Sequence, residues 1–368
     1  MSDIERPKPV LLRGYLLLGM AALWAIGRVG FGTIPGLPVA ASNAFGWPSN
    51  VLSEYSAFAA TSPIGAAIFT AIGINDPKVF LLLHMFVAIM AVGLTLWSVF
   101  LMLPKGGGSS AFRLVILSPW VALLVIFLGS YDPFTVLAFS LLLLAWRSRH
   151  LTVTFLTGVI LGFQHFEQSV FAVIAASLTA FALKDRLPPD LSSIKKFLAT
   201  LGGLVSGKLV LTVILINSPV SEAFGRSTYW TLEWFRISLV TSVNFWAVFL
   251  LSLFAGSWGL ILFTVSRIER QQRWILFAAL IVCLVPAVIT LDHTRVFVMI
   301  SMLSLTLVTI AAFRDSSFAG SKERKLIEAL AWVIVPITLW VSMDGTPYLN
   351  QVGSLDQMII FISEFGNL

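Results

Sequence analysis

Five stretches of this chain carry ionisable side chains inside or beside long apolar runs, where such groups are costly and usually mark a function. Arg28 ends the first run in "AIGRVG". Glu54 lies in "NVLSEYSAF", and Tyr131 with Asp132 in "GSYDPF". His165, Glu167 and Gln168 occupy "GFQHFEQS", and Asp292, His293 and Arg295 occupy "TLDHTRVF". A carboxylate in such a place can take a proton from a hydroxyl. Arginine and histidine can stabilise the charge of a phosphate leaving group. Simpler roles compete with these. Asp132 precedes Pro133 and could cap a helix, Glu167 could do the same, and Arg28 could snorkel to an interface. Asp292 and Arg295 could form a structural ion pair. Metal binding is not expected: no HxxxH or cysteine pattern accompanies the histidines, and a zinc site takes three or more protein ligands. His84 and His150 are given no role, and no cofactor is implied.

The elements that hold these residues are set by composition. The 368 residues are 58% hydrophobic and only 11% charged, with mean hydropathy +0.92. A soluble domain is about 25% charged. The apolar residues come in runs of roughly 15–25, enough to cross a bilayer as helices. The runs are continuous rather than alternating, which excludes a β-barrel. An all-α polytopic transmembrane bundle of about eleven spans follows. The spans are expected near 11–30, 79–103, 114–129, 134–146, 151–164, 169–183, 197–217, 243–266, 274–291, 296–313 and 326–343. The first run lacks a small-residue cleavage pattern and reads as a retained span. The single cysteine, Cys283, lies in an apolar run and belongs to packing.

Basic residues set the orientation. With the N-terminus inside, the inner segments hold 18 of the 24 lysines and arginines, which is the positive-inside pattern. The net charge of +6 is then membrane topology, and no nucleic-acid partner is expected. The chain reads as one integral membrane domain, 1–368. Its outer parts are a first loop at 31–78, a second at 218–242 and a tail at 344–368. In the first loop, Ser49-Asn50 can start a helix through Ala60, and Ser62-Pro63 another through about Ile72. Both are too short to span and suit the outer surface. Tyr229, Trp230, Trp234 and Phe235 of the second loop suit the headgroup level. This topology puts every stretch named at the start on the outer face.

Residues 114–183, with a Pro-containing span, an outer turn bearing Asp132, a span ending in basic residues and the Gly-rich "TGVILG", resemble the middle of a GT-C superfamily membrane glycosyltransferase. The long first outer loop and the polar "DHTRVF" at the start of a late span are similar too. The resemblance implies sugar transfer from a polyprenyl-phosphate-linked donor to a glycan or lipid acceptor on the non-cytoplasmic side, without a metal. Many such enzymes carry an acid just after the first span, whereas this chain has "GRVGFGTIPG" there. Glu54 is therefore the first candidate base and Asp132 the second. Arg28, Tyr131, His165, Glu167, Gln168, Asp292, His293 and Arg295 are expected to hold donor or acceptor. An envelope polysaccharide polymerase or ligase, or a transporter or flippase, is the alternative. The short inner loops suit a bacterial plasma membrane with the active face outward.

Overall fold

The computed structural model describes residues 9–29, 32–34, 37–48, 62–104, 108–218, 231–290, 292–319, 321–334, 338–341 and 347–350. Among the described residues three helices come first: α1 (Pro9–Val29), α2 (Leu37–Ala44) and α3 (Ile64–Ile72). They lead into α4 (Pro77–Met102), whose start is fixed by Pro77 and by the Asp76 carboxylate accepting from the Lys78 amide at 2.7 Å. Next come α5 (Gly108–Ile116), α6 (Pro119–Ile126), α7 (Asp132–Arg147), α8 (Leu151–Ala182) and α9 (Ile194–Ile216). The second half holds α10 (Leu232–Asn244), α11 (Trp246–Phe254), α12 (Trp258–Ser266), α13 (Arg270–Ile289) and α14 (His293–Arg314). After α15 (Ser316–Ala319) and α16 (Lys322–Val333), an antiparallel hairpin pairs β1 (Thr338–Val341) with β2 (Pro347–Asn350).

Six helices among the described residues are long and apolar enough to cross a membrane, or seven if the bent pair α5–α6 is one span. The pair breaks by 46° where Pro119 cannot donate into the preceding turn. Large apolar side chains face outward on these helices, such as Phe86, Ile89 and Trp97 on α4 and Leu209 and Val213 on α9. Water would not tolerate that surface, and lipid does. The protein is an integral membrane protein. Helix α14 is its axis, with 94% of its apolar window buried.

Helix α8 covers two of the expected spans, 151–164 and 169–183, and its helical backbone breaks at His165 (φ −161°, ψ 78°). The chain folds back there. Thr154 donates to the Ala145 carbonyl at the end of α7, while Gln164 donates to the Tyr131 carbonyl at its start. Residues 154–164 therefore run antiparallel to α7. Beyond the break the chain returns, because Thr179 shares a cleft with Arg273 and Val308, and Asp185 accepts from Gln272. The first arm of α8 packs on α9 through facing glycines, Gly158 and Gly162 against Gly203 and Gly207. A Cβ at Gly162 would lie 2.0 Å from the Leu204 carbonyl oxygen, and one at Gly203 2.1 Å from that of Phe155. With no hydrophobic force between helices in lipid, such backbone approach supplies the packing.

Several expected elements differ. The span expected at 326–343 is a helix only to Val333 and is extended again at Thr338–Val341. Pro336 in the β-branched run "VIVPIT" disfavours helix for itself and the residue before it. The bundle is thus not purely α-helical. In the 31–78 loop the helix expected after Ser62-Pro63 is present as α3, and α2 was not anticipated. The helix expected from Ser49-Asn50 lies outside the described residues.

The described charges sort to two ends. At one end Arg113 pairs with Glu328 and Arg186 with Asp315, both at 2.8 Å. Arg314 caps the Met102 carbonyl there at 2.9 Å, and Lys196 caps that of Trp146. The opposite end gathers the starts of α7 and α14, the bend of α8 and the later part of α9.

Candidate functional site

At that second end the turn before α7 is built by Gly129, whose φ of 91° needs a residue without a Cβ. The segment after α1 is pinned to this turn by a parallel bridge between Thr33 and Leu128. Ser130, Tyr131 and Asp132 follow. The Asp132 side chain is fully buried, and its Oδ2 accepts from Arg295 Nε at 2.5 Å and from the Ser130 hydroxyl at 3.3 Å. Its Oδ1 is buried without a hydrogen-bond partner. Arg295 comes from the first turn of α14 and also donates through Nη1 to Asp292 at 3.0 Å. The guanidinium lies over two rings, Tyr131 at 5.0 Å and Phe127 at 5.2 Å. One cation is thus held by two carboxylates and two aromatic faces.

Asp292 is the accessible carboxylate of the trio, its side chain about a third exposed against none for Asp132. Burial pushes its carboxyl above the ordinary value; Arg295 opposes this and the neighbouring Asp132 charge adds to it. A raised carboxyl beside a fixed guanidinium is suited to exchanging a proton with a bound hydroxyl. Two of the five guanidinium N–H groups serve the carboxylates, which leaves donors for a further anion.

Tyr131 links this trio to the bend of α8. Its ring lies 4.9 Å from that of His165. Glu167 stands 3.8 Å from His165 Nδ1 and accepts from Lys208 of α9 at 2.9 Å. Gln164 bridges the group to the start of α3, accepting from the Ile64 amide at 3.0 Å. The expected residues Tyr131, Asp132, His165, Glu167, Asp292 and Arg295 therefore form one contiguous set, although they come from three turns up to 164 positions apart.

His293 does not join it. Its ring is fully buried on the other side of α14, with Nδ1 on the Ala287 carbonyl at 2.8 Å and Phe249 across the ring. It packs α14 against α11 and α13. Gln168 is buried one turn past the bend. The side chain of Arg28 and the whole of Glu54 lie outside the described residues. Among the described residues no three His, Cys, Asp or Glu are grouped to hold a metal.

Sequence reasoning missed Lys208 and Gln164. Lys208 is the only charge in "LATLGGLVSGKLVLTVILI", and a lone cation at that depth needs an acidic partner. That signal pointed to Glu167. Gln164 carried no comparable mark.

The chain matches no protein-family model, no curated protein and no solved structure.

Proposed function

We propose that this protein is a membrane-embedded glycosyltransferase of the GT-C type, taking a sugar from a polyprenyl-phosphate donor on the non-cytoplasmic side. The observation that carries the reading is the Asp132–Arg295–Asp292 trio, held at the end of the bundle opposite the basic face. In this mechanism Arg295 binds the donor phosphate, and Asp132 is its positioning residue, too buried to touch substrate. Asp292 exchanges the proton of the acceptor hydroxyl as the anomeric C–O bond to the phosphate breaks and the new glycosidic bond forms. The lipid phosphate leaves with the electron pair. Glu54, from the first outer loop and the first candidate base by sequence, is the alternative to Asp292. The proposed topology has the N-terminus inside and eleven traverses. The two arms of α8 count separately, and the last traverse is α16 with β1: Glu328 pairs with Arg113 at the basic end, and the Leu339 amide reaches Thr294 Oγ1 at the other.

The test is sugar transfer in proteoliposomes supplied with polyprenyl-phosphate-linked sugars. Asp292→Asn is expected to lower turnover at least about a hundredfold, within the range of general acid–base catalysis, and Glu54→Gln is assayed beside it. Full activity in both variants sinks the assignment. Movement of the lipid across the bilayer with no covalent product would mean a transporter instead.

A further inference from the structure

A separate cleft of about 420 Å³ opens near the basic end, between α12 and α13, floored by α14 and the last turns of α8. Its walls include Thr179, Phe254, Phe277, Cys283 and Leu305. Trp274 and Phe277 stand on its lip and are 62% and 51% exposed, so the cleft faces the lipid. Two arginines, Arg270 and Arg273, complete the lining at the end of α13 nearest the basic face. Among the described residues neither is paired with an acid. Arg273 spends its Nε on the Ile268 carbonyl at 3.0 Å, and Glu269 lines a different, smaller cleft with Arg186 and Arg267.

An apolar groove facing lipid gains nothing from burying a hydrocarbon chain, because the bilayer is equally apolar. Selectivity must come from the charged end, and two arginines without acidic partners select an anion. A basic pocket between transmembrane helices on the inner side suits an anionic headgroup. We propose that this cleft is a binding site for one anionic phospholipid of the inner leaflet, with an acyl chain between α12 and α13 and its phosphate on Arg270 and Arg273. The site lies at the opposite end from the Asp132–Arg295–Asp292 trio and does not depend on what reaction that trio performs.

The experiment places the full-length protein in phosphatidylcholine nanodiscs containing a small fraction of brominated phosphatidylglycerol or, in parallel, brominated phosphatidylcholine. Quenching of Trp274 is read as the difference from Trp274→Phe, since the chain has twelve tryptophans. Two basic residues at the surface predict a preference of roughly 30-fold for phosphatidylglycerol. Arg270→Gln/Arg273→Gln should bring it to parity, whereas Arg270→Lys/Arg273→Lys should keep most of it. Should the double Gln variant misfold, Arg270→Gln alone removes no hydrogen bond or ion pair among the described residues and should still cut the preference roughly fivefold. Cys283→Phe narrows the cleft and should weaken the preference with both arginines in place. Equal quenching by the two lipids overturns the proposal. So does a preference left unchanged by Cys283→Phe, which would mean attraction of headgroups to the surface alone.

Discussion

The two ends of α14 treat charge in opposite ways. At the Arg314 end, cations finish helices: Arg314, Lys196 and Arg186 donate to the carbonyls of Met102, Trp146 and Arg267, groups that every helix C-terminus leaves unsatisfied. Acids at that end sit one to a cation, as Asp315 does beside Arg186. At the Arg295 end a single guanidinium carries two carboxylates, one of them fully buried with an unsatisfied oxygen. The first arrangement lowers the cost of ending helices. The second adds a cost that helix ending does not require, and such excess is where a site is to be sought.

The contrast can be broken most directly at Asp132. Asp132→Ala leaves the Arg295 charge without its main partner, and a loss of about 3–5 kcal/mol is expected from thermal or denaturant unfolding in detergent. A loss below about 1 kcal/mol would show that the trio is not a buried ion pair. The glycine seam comes next. Gly203→Val forces a side chain into the Phe155 carbonyl and should cost about 1–3 kcal/mol, with cross-linking between α8 and α9 weakened. Asp292 gives a pH test. Its folded pKa is raised, so the native state holds that proton more tightly than the unfolded chain does. Stability should therefore fall as pH rises from the ordinary carboxylate range through the raised value. The Asp292→Asn variant should lack this slope while keeping its fold. The smallest effect belongs to the basic end. Asp315 is raised by burial, but its bonds to Ser317 and the nearby Arg186 and Arg267 outweigh that and leave it below the ordinary value. Its contribution is present above the ordinary carboxylate pKa and is lost as pH falls through the lowered one. Arg186→Gln should cost about 1 kcal/mol or less.

Much of this was legible beforehand. Hydropathy located the long helices to within a few residues, because 20 or so apolar residues have one stable form in lipid. The turn at His165 was visible as three polar residues interrupting an apolar run. The charge sorting was visible because it is written in the sequence of arginines. What was not legible depended on partners distant in the chain. Nothing local said that Arg295 would choose Asp132 rather than remain with Asp292 alone. Nothing local said that His293 would turn toward Phe249. The end of α16 was readable in principle from Pro336, yet the apolar count over 326–343 outweighed it.

The fold-back of α8 has a consequence for the surrounding bilayer. Its first arm, residues 151–164, is about 21 Å long at 1.5 Å per residue, against about 30 Å of hydrocarbon. If both arms cross as the proposed topology has them, a hairpin that short would be matched by local thinning of the bilayer around it. The thinning would fall beside His165 and Tyr131, whose rings lie 4.9 Å apart at the bend. A lipid phosphate lodged there would ride several ångströms below its usual plane, at the depth where Arg295 waits, without having to be pulled out of the membrane.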